Sequence, residues 1–120
     1  MSKTLDQERA LFTWELVGTR RGKDLENNLK AARKAGMLVN QAGLLQTLAW
    51  LKTQNKGENN ASILLKGLEH HLRQTLRINS ADTAVLDYLM NADQVFLRLA
   101  TEESIALLQW VKQHADGMGD

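Results

Sequence analysis

The sequence contains no cysteine and no proline, and each absence narrows what the chain can be. Without cysteine there is no disulfide framework, no cysteine-based zinc site and no cysteine nucleophile, and a reducing compartment is compatible with this composition. Without proline the strongest helix breaker is missing, while leucine, alanine, glutamine, lysine and glutamate are plentiful. These features predict an all-α protein.

Long apolar runs are missing as well. The N-terminus MSKTLDQER lacks the apolar stretch of a signal peptide, and no segment approaches the roughly 18 apolar residues of a membrane-spanning helix. A length of 120 residues suits one domain. We therefore expect a cytoplasmic, single-domain helical bundle of about five to six helices over residues 1–120, with a flexible tail at residues 116–120.

The formal net charge of +1 hides an asymmetry between the two halves of the chain. Residues 1–60 contain ten Lys or Arg against six Asp or Glu, whereas residues 61–120 contain five against eight. The split predicts a surface with a basic side and an acidic side, which concerns partners rather than fold.

A long helix is predicted over the stretch that begins at Lys23, and a second apolar helix follows it up to about Gln54. The first has an apolar stripe at helical spacing, and Gly43 can take the positive φ that ends it. Its stripe comprises Leu25, Leu29, Ala32, Gly36 and Val39. Its opposite face carries Lys23, Lys30 and Lys34, with Arg33 beside them.

The segment from about Ala61 to Leu76 repeats this pattern. Its leucines form a core stripe, and Lys66, Arg73 and Arg77 lie on the opposite face together with His70. The sequence therefore contains two rows of cations, one on each of two predicted helices.

The first predicted helix runs from about Leu5 to Val17, and Thr4 with Gln7 resembles a capping box. Its predicted buried side comprises Leu11, Trp14 and Val17, with Phe12 and Leu16 beside them. Arg20 and Arg21 then occupy a tight turn between two glycines, where the ordinary interpretation is a solvated position.

The C-terminal region is apolar at helical spacing from Ala92 onwards, but Glu103 falls on the apolar side. Because Thr101 is a plausible N-cap with Glu102 and Glu103 in the first turn, we expect a kink or a new helix there. The last helix, from Ser104 to about Ala115, is apolar nearly all round, which predicts burial in the bundle or in a subunit interface that includes Ile105 and Leu108.

Trp50 lies off the leucine stripe of its helix, whose members are Leu44, Leu48 and Leu51. Two interpretations follow. The helix is packed on both faces, or the tryptophan is exposed and anchors a partner protein.

The sequence offers little catalytic chemistry, and the enzymatic alternative would use His70 or His71 as an acid or base. His70 and His71 diverge by about 100° on a helix, so they cannot bind one metal ion together. The sequence has no HExxH motif, no EF-hand spacing and no glycine-rich phosphate loop. We predict no enzymatic activity, no catalytic residue, no metal site and no cofactor.

The two rows of cations are the remaining functional signal. Lysines and arginines one helical turn apart can follow a phosphate backbone without reading its bases. A solvated outer face has the same pattern, so composition and spacing leave both interpretations open.

Several segments together resemble the small helical subunit of the type III-B CRISPR effector, the Cmr complex. They occur in the same order and cover nearly the whole chain. They are QERA at 7–10, NQAGLLQTLAWLK at 40–52, YL at 88–89, ATEE at 100–103 and ALLQWVKQHA at 106–115.

The resemblance implies a non-catalytic structural subunit of an antiviral defence complex. Such a subunit stacks in several copies along the effector filament and lies beside the backbone subunits that hold the guide RNA. Its expected partners are other Cmr subunits, further copies of itself, and the backbones of guide and target RNA. If so, the RNA-contact candidates are Arg20, Arg21, Lys23, Lys30, Arg33, Lys34, Lys66, Arg73 and Arg77. The alternative is a helical protein–protein adaptor that binds no nucleic acid and uses Trp50 or the last helix.

Overall fold

Six helices account for most of the chain in the computed structural model, which describes residues 3–18, 23–54, 60–78 and 84–118. They are α1 (Leu5–Gly18), α2 (Lys23–Ala42), α3 (Leu44–Thr53), α4 (Asn60–Thr75), α5 (Val85–Met90) and α6 (Gln94–Met118). No strand occurs in the described residues. The prediction of an all-α bundle is confirmed.

Two predicted helix ends are formed by the expected residues. At the start of α1, the Thr4 amide donates to Gln7 Oε1 at 2.8 Å, and the Gln7 amide donates to Thr4 Oγ1 at 3.1 Å. This is the reciprocal pairing of a capping box. Between α2 and α3, Gly43 has φ 93°, which a residue without a Cβ adopts at little cost.

The predicted leucine stripes of α3 and α4 meet in one apolar core, which Ala32 and Val39 of the predicted α2 stripe join. The side chains of Leu25 and Leu29, predicted for the same stripe, lie outside the described residues, and Gly36 is half-buried. Helices α2 to α6 all contribute, and each fully buried leucine stabilises the fold by roughly 1.5–3 kcal/mol relative to an exposed one. The core includes Ala32, Ala35 and Val39 of α2, Leu44, Leu48 and Leu51 of α3, Leu64, Leu65, Leu68 and Leu72 of α4, Val85 and Leu89 of α5, and Ala100, Leu107, Leu108 and Val111 of α6.

The predicted buried side of α1 is wrong. Leu11 and Trp14 are 48% and 52% exposed, whereas Thr13 is fully buried. The inward face is set by Arg9, Thr13 and Leu16, which share one side of the helix. Thr13 tolerates burial because its hydroxyl donates to the Arg9 carbonyl at 2.7 Å. Phe12 and Leu16 pack against the core as expected, and the Val17 side chain lies outside the described part of the chain.

The predicted break at Thr101 is also wrong, because α6 is one continuous helix of 25 residues. Thr101 lies in its interior and donates from Oγ1 to the Leu97 carbonyl at 2.8 Å. Glu103 is only 5% exposed and therefore does not belong to a solvated first turn. The helix continues to Met118, so residues 116–118 of the predicted tail are helical, and residues 119–120 lie outside the described residues.

The end of α4 comes one residue earlier than predicted. Arg77 follows the helix with φ 56°, and the Ile78 amide donates to the Arg73 carbonyl at 3.0 Å. This pairing is typical of a helix that ends in a left-handed residue, a position that glycine usually fills. Arg77 therefore does not continue the row of cations on α4.

Two helical glycines provide a matched test of how closely α1 packs on α4. A Cβ at Gly67 would lie 3.0 Å from Leu16 Cδ2, whereas a Cβ at Gly36 would meet nothing within 4 Å. We expect Gly36→Ala to raise the free energy of unfolding by about 1 kcal/mol through helix propensity. For Gly67→Ala we expect no gain, because Leu16 must move. Urea denaturation compares the two, and an equal gain would contradict the packing of Leu16 on α4.

Candidate nucleic-acid interface

The α2 cations lie on the outside of the bundle, opposite the side chains that α2 contributes to the core. Lys30, Arg33 and Lys34 are all exposed. Arg33 Nη2 lies 3.3 Å from Asp116 Oδ1 of α6, and both side chains are about half exposed. Such a pair stabilises the fold by at most about 1 kcal/mol and leaves the guanidinium accessible.

The side chains of three other predicted RNA-contact residues lie outside the described part of the structure. Lys23 begins α2, but its side chain lies outside the described set, and Arg20 and Arg21 precede the helix in a segment that is not described. These three residues stay predictions.

The α4 cations form a second surface. Lys66 and Arg77 are exposed and Arg73 is half-buried. Arg73 and Arg77 line one shallow depression together with His70, Gln74 and Ile78. The two arginines thus converge at the end of α4, although Arg77 lies beyond the helix. The sequence predicted the cations but not that the chain leaves the helix before Arg77.

The predicted protein-contact residues differ in how much surface they offer. Trp50 and Ile105 are half-buried and pack against the core. Leu108 is 3% exposed and is a core residue, which leaves it little surface for a partner. The apolar side chains that reach solvent are others, among them Leu11 and Trp14 of α1, for which the sequence predicts burial.

A buried charged cluster joins α1, α4 and α6. Arg9 donates to Glu103 through two nitrogens, Nε to Oε2 at 2.7 Å and Nη2 to Oε1 at 2.6 Å. His71 Nε2 lies 2.7 Å from Glu103 Oε2 and 3.3 Å from Thr75 Oγ1. Because a carboxylate only accepts, Nε2 carries the proton of the His71–Glu103 bond. Glu103 therefore accepts from two helices at once.

The two adjacent histidines have different surroundings. His70 is exposed and His71 is buried, and both rings stack on Phe12, with ring centroids 5.8 and 5.5 Å apart respectively. His71 is engaged in holding Glu103. In the part of the chain that the structure describes, no group of three or more His, Asp or Glu side chains is arranged to hold a metal ion.

Further polar contacts join α1 to the C-terminal half of α6. Trp110 Nε1 donates to Asp6 Oδ1 at 2.9 Å, and His114 Nε2 lies 3.0 Å from the Ala10 carbonyl. The His114 ring also meets the edge of Trp14 at a centroid distance of 5.1 Å. Helix α1 is therefore positioned by hydrogen bonds and charge as well as by Phe12 and Leu16.

The cluster shifts the pKa of Glu103. Burial raises the pKa of this carboxyl, but the hydrogen bonds and charges of Arg9 and His71 together lower it by more, so it lies below its ordinary value of 4.5. The hydrogen bond with Glu103 likewise raises the pKa of Arg9. The carboxylate is thus held in its charged form at neutral pH.

This shift predicts an acid-dependent loss of stability. At low pH the unfolded chain protonates Glu103 more readily than the folded chain does, so the stabilisation is complete above about pH 4.5 and falls as pH drops through the folded pKa. We expect the difference in unfolding free energy between the native chain and Glu103→Gln to shrink as pH is lowered from about 7 to about 3. Urea titrations across that range measure it. A difference that stays constant would contradict the shift.

The described residues contain no helix that is long and apolar enough to cross a membrane. The fold and surface together define an all-helical protein that offers exposed cations and exposed apolar side chains to partners. The family model described as CRISPR-associated protein (Cas_Cmr5) matches residues 5–118. The chain therefore belongs to the Cmr5 family and is a subunit of the CRISPR Cmr complex, which confirms the resemblance seen in the sequence.

Comparison of structures agrees with this assignment. The chain is similar to a CRISPR-associated Cmr5 family protein from Thermus thermophilus, with 26% sequence identity and a TM-score of 0.70. The match covers 97% of this chain and 98% of the Thermus protein. A search of curated proteins finds no significant match.

Proposed function

We propose that this chain is a non-catalytic structural subunit that stacks in several copies along a cytoplasmic Cmr filament and contacts the backbones of guide and target RNA. The observation that supports RNA contact is the exposure of cations outside the core, namely Lys30, Arg33 and Lys34 on α2, Lys66 on α4 and Arg77 just beyond α4. The half-buried Arg73 lines the same depression as Arg77. The sequence adds Arg20, Arg21 and Lys23 as further candidates for RNA contact. Cations on a rigid helix can neutralise phosphates without selecting a base sequence.

A structural role is supported by how the titratable groups are used. His71 and Glu103, which as a pair would be candidates for acid–base chemistry, are buried and bound to each other, and Glu103 is also bound by Arg9. Their burial serves to hold α1, α4 and α6 together rather than to present a reactive group.

An adaptor without RNA contact is the second candidate. It is favoured by the exposed apolar side chains of α1, since Leu11 and Trp14 offer a partner protein an aromatic anchor. Trp50 and Ile105 retain part of their surface and can contribute to such contacts.

Salt dependence separates these two functions. We expect binding of target RNA by the assembled complex to weaken with rising salt less steeply when Lys30 and Lys34, or Lys66 and Arg77, are replaced by glutamine, because each phosphate contact releases counterions. The pair whose replacement changes the slope identifies the RNA-facing helix. An unchanged slope for both pairs would contradict RNA contact and favour the adaptor.

A further inference from the structure

An apolar groove runs along the surface between α2 and α6. Its apolar lining includes Ala32, Gly36 and Met37 of α2 and Ile105 of α6, and the cations Arg33 and Lys112 line it as well. Met37 is 57% exposed, so a large apolar side chain is available there. We refer to it as the α2–α6 groove.

The groove exists because small residues occupy this part of α2. Gly36 has no side chain, and nothing lies within 4 Å of the position where a Cβ would be. The surroundings are basic, since Lys30 and Lys34 are exposed on the same helix as Arg33. Asp116 partly balances Arg33 at 3.3 Å. The groove therefore suits an apolar segment with acidic neighbours.

A surface with those properties lies at the other end of α6. Val95 and Leu99 are one turn apart on its first turns and are 64% and 48% exposed, and Met90 at the end of α5 is 56% exposed. Exposed acidic residues lie near them in the sequence, together with the exposed cation Arg98. The acidic residues are Asp87, Asp93 and Glu102. We refer to this surface as the α5–α6 corner.

We propose that the α5–α6 corner of one copy docks in the α2–α6 groove of the next copy. This inference rests on the proposed stacking and names its two faces. The surfaces complement each other in apolar character and in charge. They lie roughly ten residues apart along α6, or about 15 Å at 1.5 Å per residue, so each copy keeps a free groove at one end and a free corner at the other. Such a head-to-tail contact extends into a filament instead of closing as a dimer.

The absence of cysteine from the native sequence allows a direct test. In the double variant Met37→Cys/Leu99→Cys, treatment with a short bismaleimide is expected to produce a ladder of covalent oligomers. The variants with Met37→Cys alone or Leu99→Cys alone are expected to form no such ladder. The matched control is Met37→Cys/Leu11→Cys, because Leu11 is as exposed as Leu99, at 48%, and also has acidic neighbours in Glu8 and Glu15. It is expected to give no ladder.

Blocking variants test the direction of the contact. Met37→Asp destroys the groove and Leu99→Asp destroys the corner, and neither residue is buried. Each variant alone is expected to be monomeric in sedimentation, while an equal mixture forms a 1:1 dimer and nothing larger, because one intact groove meets one intact corner. A mixture that stays monomeric, or single variants that associate like the native chain, would overturn the pairing.

Crosslinking is done on the free chain at high concentration and on the purified complex. The proposal is overturned if no ladder forms with the free chain or with the complex. It is also overturned if only the Met37→Cys/Leu11→Cys control forms a ladder, which would show that α1 occupies the groove. Failure of this inference is distinct from failure of the proposed function. If the Met37→Cys/Leu99→Cys ladder forms, Met37→Asp alone abolishes association in sedimentation and target RNA still binds the complex, the copies stack through these two faces. If no ladder forms and RNA still binds, only the docking faces are wrong.

Discussion

Replacing Glu103 by alanine is expected to lower the free energy of unfolding by about 3–5 kcal/mol, the typical effect of breaking a buried ion pair from one side. Arg9 would lose two hydrogen bonds, of 2.6 and 2.7 Å, and His71 would lose a third. Arg9 would stay partly buried without its counterion, and α1 would lose its charged attachment to α6. The total free energy of unfolding of a protein is only about 5–15 kcal/mol, so this effect is a large fraction of it.

The neighbouring residue provides the matched control. Glu102 is exposed, so Glu102→Ala is expected to change the free energy of unfolding by no more than about 0.5 kcal/mol. Chemical denaturation followed by circular dichroism measures both variants. Similar effects at the two positions would contradict the burial of Glu103.

A double-mutant cycle separates the ion pair from simple loss of packing. Replacing both Arg9 and Glu103 by methionine removes the charges together and keeps apolar volume. We expect the double variant to be clearly more stable than the two single changes predict by addition, because neither charge is left unpaired. Additive effects would show that the two side chains do not interact.

Charge reversal on α2 is expected to have the largest effect on RNA binding. Each lost contact between a cation and a phosphate removes about 1.5 kcal/mol or more, so Lys30→Glu/Arg33→Glu/Lys34→Glu should weaken target RNA binding by the complex about a thousandfold or more if all three contact phosphates. The slope of the logarithm of the binding constant against the logarithm of salt concentration should also become shallower by about two to three. Filter binding over a range of salt concentrations measures both quantities.

Two controls accompany the triple variant. Gln41→Glu/Gln46→Glu adds negative charge at exposed positions near the junction of α2 and α3 without removing a cation, so its effect on RNA binding should be small. A circular dichroism melt should show that the triple variant folds, since its only described internal partner is Asp116, in an exposed pair. A triple variant that unfolds would show that these side chains belong to the fold.

Much of the fold could be predicted from the sequence because apolar periodicity is local. The stripes of α3 and α4, the capping box at Thr4 and the positive φ of Gly43 depend on residues a few positions apart. The same locality explains the errors on α1. Leu11 and Trp14 look inward by periodicity, whereas the actual inward face is selected by Arg9, whose partner Glu103 is 94 positions away.

Glu103 itself was the signal that could have revealed the cluster. A carboxylate on the apolar side of a helix needs a partner that compensates for lost hydration. The local pattern favours the start of a new helix, and the structure instead supplies Arg9 and His71, the latter 32 positions away. The exposure of Lys30, Lys34 and Lys66 was predictable from the sequence. The proposed RNA ligand is not part of the chain, so neither the sequence nor the fold can identify it.

The most direct test of the central claim is recovery of tagged protein from its native cells, with and without ribonuclease and at rising salt, followed by identification of what copurifies. We expect the other Cmr subunits to copurify together with a guide RNA, and the RNA to be lost after ribonuclease treatment. Recovery of unrelated proteins and no RNA would contradict a structural role in an RNA-guided complex and would favour the adaptor.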